Sequence, residues 1–329
     1  MYRIIQRING NAIYQTSSGS NISGVLFSRN SNSFYVGTET YLLRLFPHIR
    51  CYPRNYYNNN SNSTFTLTQD FKGNIWSGSY QGALTVSDGN KILFTKNLPY
   101  KWLAQGLNLD KYMMIPTETD KGVLLFNTNG SFKKIADSVS TFYMYKSRSN
   151  RLFMGTASQG LWHIAVEDLL HNSKNWKKIT QKHGLKQNSV ISIAEDRFGN
   201  IWTGNGTSIA VYQPKTDNCK TWFKDDKKNA HFGARSILAD SDKNLWFGGV
   251  DGGLYYYNAD SANDLSPYNL SAISHPLLHY GTPITFLHQW EEYLLIGAQD
   301  KILLFDLKTW KTNHKVSIKY LNPMELNLK

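Results

Sequence analysis

Short runs of alternating apolar and polar residues, each closed by a turn signal, fill this chain. Residues 189–194 alternate in this way, which predicts a half-buried strand. Asp196-Arg197-Phe198-Gly199-Asn200 then reads as a hairpin turn, because Asp accepts backbone N–H groups and Gly supplies a positive φ. Residues 201–204 form the second predicted strand, Asn205-Gly206-Thr207 turns again, and residues 208–212 and 219–223 supply the third and fourth. The predicted unit is four antiparallel strands.

The unit returns. Its turn and second strand recur as Asp70-Phe71-Lys72-Gly73-Asn74-Ile75-Trp76-Ser77-Gly78 and as Asp240-Ser241-Asp242-Lys243-Asn244-Leu245-Trp246-Phe247-Gly248. Weaker copies keep the glycine at Gly37, Gly155 and Gly297, and Pro116 stands in the one remaining gap. The seven anchors, at 37, 78, 116, 155, 204, 248 and 297, are spaced by 41, 38, 39, 49, 44 and 49 residues. Short strands repeating at this period are the signature of propeller blades. The expectation is an all-β fold, a seven-bladed β-propeller of four-stranded antiparallel blades. It forms one domain over residues 1–320, with 321–329 as a tail or linker. Residues 2–7 are expected to close the last blade, beside 303–307 and 310–316, hiding two sheet edges.

Within the repeat, Trp76, Trp202 and Trp246 have the size to fill the wedge between blades. Gly78, Gly204 and Gly248 mark places where a neighbouring backbone comes close. The most conspicuous residues are therefore assigned to packing.

The phrase Asp-x-x-Gly-Asn-Ile-Trp-x-Gly, with the strand Gly252-Gly253-Leu254-Tyr255-Tyr256-Tyr257, resembles the two-component regulator propeller repeat. The resemblance spans roughly residues 20–310; it is strong in three repeats, partial in three and weak at Pro116. It implies the periplasmic sensor region of a hybrid two-component system of the Bacteroidetes. Such sensors join two seven-bladed propellers, a small β-sandwich, a membrane helix and a histidine-kinase module, and they detect oligosaccharides. This chain has the length of one propeller and none of the kinase motifs. The resemblance thus implies a non-catalytic, ligand-sensing module, periplasmic as part of a membrane-anchored sensor, whose targeting segment is absent from this chain. Its implied partners are an oligosaccharide, a neighbouring propeller or sandwich domain, and a second copy in a homodimer.

The loops between second and third strands, and the loops leading into each blade, lie at one end of a propeller. Read from the repeats, they give a rim of Glu39, Tyr80, Gln81, Lys101, Trp102, Glu118, Gln159, Lys186, Asn205, Arg235, Asp251, Tyr280 and Gln299. Carboxylates and amides pair with vicinal sugar hydroxyls, and aromatic faces stack on a pyranose. Lys101, Lys186 and Arg235 suit a uronate or sulfate, so an acidic oligosaccharide is within the expectation. Any propeller also has polar loops at its channel mouth, and that plainer reading stands beside the first.

Two rival functions follow from the same loops. A glycosidase needs two spaced carboxylates, and Glu39, Glu118, Asp251 and Asp300 are on offer. The Asp-x-x-Gly-x-x-Trp turn is also similar to the Asp-box of sialidases, but Arg235 is the only rim arginine where a triad is needed. A protein-interaction scaffold is the other rival, with Tyr56-Tyr57 or Tyr255-Tyr256-Tyr257 as packing faces.

Composition narrows the field further. The 329 residues carry 36 Lys and Arg against 24 Asp and Glu, a net charge of +12. The basic residues are scattered, and the cluster of Lys224, Lys227 and Lys228 is interrupted by Asp225 and Asp226. This describes a generally cationic surface, without a nucleic-acid partner or membrane contact of its own. Cys51 and Cys219 fall in different repeats and form no metal or redox motif. Asp240–Asn244 starts like a calcium loop but has Leu245 at the position of its glycine. Pro276 separates His275 from His279. No metal and no cofactor are expected.

Overall fold

The computed structural model describes residues 3–8, 11–15, 22–28, 33–38, 42–45, 64–79, 81–89, 91–101, 103–117, 121–223, 233–258, 260, 270–278, 281–298 and 301–321. Strands β1 (Arg3–Ile8) and β2 (Asn11–Gln15) pair as a two-stranded sheet. Strands β3 (Ile22–Ser28), β4 (Ser33–Thr38) and β5 (Leu42–Leu45) form a three-stranded sheet. Six four-stranded antiparallel sheets follow, each a simple meander.

Blade I holds β6 (Thr64–Gln69), β7 (Ile75–Ser79), β8 (Ala83–Ser87) and β9 (Ile92–Asn97). Blade II holds β10 (Leu107–Leu109), β11 (Tyr112–Pro116), β12 (Val123–Phe126) and β13 (Phe132–Ala136). Blade III holds β14 (Thr141–Lys146), β15 (Arg151–Thr156), β16 (Leu161–Ala165) and β17 (Lys177–Ile179), with helix α1 (Val166–Leu170) between the last two. Blade IV holds β18 (Ser192–Glu195), β19 (Ile201–Gly204), β20 (Ser208–Gln213) and β21 (Asn218–Phe223). Blade V holds β22 (Ala234–Ala239), β23 (Leu245–Gly249), β24 (Leu254–Tyr257) and β25 (Leu270–Ile273). Blade VI holds β26 (Ile284–Trp290), β27 (Tyr293–Ala298), β28 (Lys301–Asp306) and β29 (Ile318–Tyr320), with helix α2 (Leu307–Asn313) before β29.

First strands of successive blades lie side by side, and β3 lies against both β6 and β26. The expected seven four-stranded blades are corrected to six. The repeat anchored at Gly37 gives a three-stranded sheet among the described residues. That repeat lacks the Asp-Gly-Asn-Trp phrase, and the Asn/Ser-rich stretch 55–63 after it lies outside the described residues. Residues 2–7 were expected to close the last blade; the pairings described at the two ends of the chain are these. β29 is the outer strand of blade VI, while β1 pairs with β2. Residues 310–313, read as strand, are helical. Asp306 caps that helix, accepting the N–H of Thr309 at 2.9 Å and its hydroxyl at 2.8 Å. The tail beyond residue 321 lies outside the described residues.

The repeat's large residues do pack between blades. Trp76 lies 5.5 Å from the Phe126 ring of blade II, Trp202 lies 5.7 Å from Phe247 of blade V, and Trp246 lies 5.0 Å from Phe305 of blade VI. The anchor glycines sit where the next blade begins. A Cβ on Gly204 would stand 2.4 Å from the carbonyl oxygen of Ala234, and one on Gly248 would stand 2.5 Å from Ile284 Cγ2. Opposite Gly204 in the ladder, the Ser192 hydroxyl donates to the same Ala234 carbonyl at 3.2 Å. Glycine and hydroxyl together hold the first residue of the following blade.

Candidate functional site

The rim is built where the second-to-third-strand loops meet the loops leading into each blade. Backbone bonds lace the two sets. The Leu103 N–H donates to Ser79 O, Val190 N–H to Thr156 O, Gly160 N–H to Asn188 O and Gly281 N–H to Asp251 O. The first two of these and the last join neighbouring blades, at the I–II, III–IV and V–VI junctions.

Seven of the thirteen rim residues read from the sequence are described: Gln81, Lys101, Gln159, Lys186, Asn205, Arg235 and Asp251. Glu39, Tyr80, Trp102, Glu118, Tyr280 and Gln299 lie outside the described residues, as does Asp300. Gln81, Lys101, Lys186 and Arg235 are exposed.

The other three are held by the fold. Asn205 is only 6% exposed. Its Oδ1 accepts the N–H groups of Thr207 and Ser208, both at 2.8 Å, and its Nδ2 donates to Ser189 O at 3.1 Å. The Gln159 amide donates to Ser138 O at 2.8 Å. Asp251 accepts the N–H of Gly253 at 3.1 Å on Oδ1 and the hydroxyl of Tyr255 at 3.2 Å on Oδ2. These side chains shape the loops, as Asx-type turns do.

Three of the four exposed rim residues are cationic, and Gln81 is a neutral amide. Lys121 in the β11–β12 loop and Lys182 in the 3-10 helix Gln181–His183 are exposed at the same end as Lys101, Lys186 and Arg235. Sequence reading passed over both, although a turn glycine follows each, Gly122 and Gly184. Among the described residues, no group of three or more His, Cys, Asp or Glu side chains has the arrangement of a metal site. His275 spends its Nδ1 accepting the N–H of Leu277 at 3.2 Å. Cys219 lies in the outer strand β21 as expected, and burial pushes its thiol up to about 12.

Two buried polar clusters were not visible in the repeat pattern. Glu195 is 4% exposed, and its carboxylate accepts the Arg148 N–H at 2.9 Å and the Tyr145 hydroxyl at 3.3 Å, with Arg148 Nε at 3.4 Å. Burial, and then the Glu195 charge, push the Tyr145 hydroxyl well above its ordinary range. The second cluster centres on His163. Both lie between blades III and IV, and both use residues spaced about one repeat apart, 47 and 49 positions.

Residues 184–207 match the family model described as the two-component regulator propeller. Over 286 residues the chain is 22% identical to Histidine kinase P4 of Formosa agariphila, covering 84% of this chain and 17% of that protein. The extracellular domain BT4673 of B. thetaiotaomicron superposes with a TM-score of 0.69 at 17% identity, over 89% of this chain and 39% of the other. The extracellular domain BT3049 of the same organism gives 0.58 at 16% identity, over 98% and 51%. The chain spans well under two thirds of each of these proteins. The matched segment contains one copy of the recurring phrase, Asp196–Gly204, and in that segment the chain is similar to the two-component regulator propeller repeat.

Proposed function

We propose that this chain is a non-catalytic, ligand-sensing propeller of a two-component signalling sensor, and that its ligand is an oligosaccharide. The repeat match at residues 184–207 carries this reading. It is supported by a relative named as a histidine kinase, of which this chain corresponds to 17%. It is further supported by fold neighbours described as extracellular domains of one-component and hybrid two-component systems. The site in this reading is the rim, where Lys101, Lys186 and Arg235 are exposed and favour an acidic sugar.

The reading places the chain in the periplasm, as one domain of a membrane-anchored protein. No helix among the described residues is long and apolar enough to cross a membrane. A neighbouring propeller or sandwich domain, and a second copy, are the proposed protein partners. Signal transfer then requires that the sugar bind one arrangement of the domains more tightly than another.

A thermal-shift screen against neutral, uronic-acid and sulfated oligosaccharides tests the proposal. Stabilisation by one class, lost on Lys101→Ala or Arg235→Ala, supports it. Cleavage of the same sugar replaces the sensor with an enzyme. The absence of any shift across all three classes moves the ligand site off this propeller.

A further inference from the structure

We propose that the seam between blades III and IV is an acid-released latch, worked by protonation of His163.

The chain of contacts is closed and directional. His163 lies in β16 and is 3% exposed. Its Nδ1 faces the Arg151 guanidinium, with Nη2 at 2.8 Å and Nε at 3.1 Å. Its Nε2 lies 3.3 Å from the Tyr212 hydroxyl of β20 in blade IV. That hydroxyl donates to Asp217 Oδ1 at 2.9 Å. Asp217 pairs at 2.5 Å with Lys177, which is the cross-strand neighbour of His163 in blade III. The path leaves blade III through an imidazole and returns to it through an ion pair.

Only one proton arrangement satisfies these contacts. A guanidinium has donors and no acceptor, so Nδ1 must accept and carries no proton. The neutral ring then bears its proton on Nε2 and donates it to Tyr212, whose own proton goes to Asp217. Protonation adds a hydrogen to Nδ1, where the guanidinium already points its own. An acceptor becomes a donor, and a second cation meets the first.

Glu195, the other buried carboxylate at this seam, is taken up by Tyr145 and Arg148, and among the described residues the groups around the ring do not compensate. Phe153 stacks on the His163 ring at 4.9 Å and carries no charge. Lys177 adds further positive charge. Among the described residues, Asp217 is the carboxylate that acts on the ring, and Lys177 and the Tyr212 hydroxyl already hold its pKa low. Cys219, across the ladder from Tyr212, is neutral, and His183 acts on Asp217 in the same sense as Lys177. Burial, then Arg151 and Lys177, hold the His163 imidazole down to about 4. A charged ring regains water only when the blades part. The seams at Trp76–Phe126, Trp202–Phe247 and Trp246–Phe305 are packed with aromatic rings and have no such trigger in those contacts.

Cys219 reports on the opening, because it is free, buried and part of the apolar cluster at this seam. The experiment uses the chain with Cys51→Ser and a dipyridyl disulfide, which reacts with thiols in acid. The rate is corrected for the reagent's own pH dependence on a small thiol. If opening takes up one proton, Cys219 labelling rises up to about tenfold per pH unit as pH falls from about 6.5 to about 4. In His163→Gln the corrected rate rises with a clearly shallower slope. Equal slopes in the two chains overturn the proposal. Nitrogen NMR of the wild-type imidazole is the independent check and needs no variant. The expected ring is neutral at pH 7, protonated on Nε2, and titrates below about pH 5.5. A proton on Nδ1, or a titration near the ordinary histidine value, overturns the latch.

Discussion

The indole Nε1 of Trp202 donates to Asp196 Oδ2 at 2.9 Å, inside the hairpin that the same aspartate builds. Asp196 Oδ1 accepts the N–H groups of Phe198 at 2.9 Å and Asn200 at 3.0 Å. Blades I and V repeat the geometry, with Trp76 on Asp70 at 3.0 Å and Trp246 on Asp240 at 3.1 Å. The aspartate thus orients the ring that fills the gap to the next blade. Turn chemistry and inter-blade packing are one device.

Asp196→Ala is therefore expected to cost far more than an ordinary surface change. It strips acceptors from two backbone N–H groups and from the buried indole, a loss of about 2–4 kcal/mol. Trp202→Phe keeps the turn but loses one bond and some packing, about 1–2 kcal/mol. Urea denaturation of the two variants, read at constant m, checks the order. A smaller loss for Asp196→Ala than for Trp202→Phe would refute the shared role.

Two glycines in one loop should behave in opposite ways. Gly204→Ala drives a Cβ to 2.4 Å from the Ala234 carbonyl and forces blades IV and V apart. The expected cost is about 1–3 kcal/mol, typical of overpacking. Gly206, two residues on, has nothing within 4 Å of its Cβ position. Gly206→Ala is expected to shift stability by no more than about 0.5 kcal/mol. Comparing the two thermal midpoints decides whether the repeat glycine is a close-approach residue.

Much of this was legible in the sequence because it rests on periodicity. Alternation marked the strands, and the spacing of Trp76, Trp202 and Trp246 marked the inter-blade wedges. The blade count misled because spacing shows where a repeat falls and not how many strands it forms: the Gly37 repeat gives three among the described residues. Trp310–Val316 was read as strand by analogy with the outer strands of other repeats, while Asp306 caps a helix there, Leu307–Asn313. The rim was harder. Asn205-Gly206-Thr207 reads as polar and available, yet in the fold the Asn205 amide is consumed by its own turn and by Ser189. Sequence shows which groups reach a loop, not which of them the loop itself uses. His163 and Tyr212 escaped because their partnership depends on two third strands meeting across a seam.

Acid is expected to weaken the whole fold through two histidines, the buried His163 and the half-buried His288. Burial lowers the proton affinity of His288, and burial with Arg151 lowers that of His163 to about 4. In the unfolded chain both titrate near about 6.5. Between those values the unfolded state binds more protons, so stability falls as pH falls. The contribution is fully present above about pH 6.5 and is lost down to about pH 4. For His163 it amounts to at most about 3 kcal/mol. Urea midpoints at pH 7 and pH 5 test the sign. A midpoint that rises on acidification contradicts it.

Rim residues that shape loops and rim residues that face solvent should separate in one binding experiment. Lys101 and Arg235 are exposed, so their removal leaves the loops tied and takes away cation–anion contacts. Lys101→Ala and Arg235→Ala are each expected to weaken an acidic oligosaccharide by about tenfold, with thermal midpoints close to the parent chain. The weakening should shrink as salt is raised from about 0.05 to about 0.5 M, since exposed charges are screened over that range. Asn205→Ala should do the reverse. It leaves the N–H groups of Thr207 and Ser208 without their acceptor and lowers stability by about 1–3 kcal/mol. Its effect on affinity should then follow only from the distorted loop and be insensitive to salt. Calorimetric titration of the three variants at two salt concentrations, with melting curves on the same samples, distinguishes the roles. Salt-sensitive loss in Asn205→Ala with an unchanged midpoint would place its amide on the ligand and not in the turn.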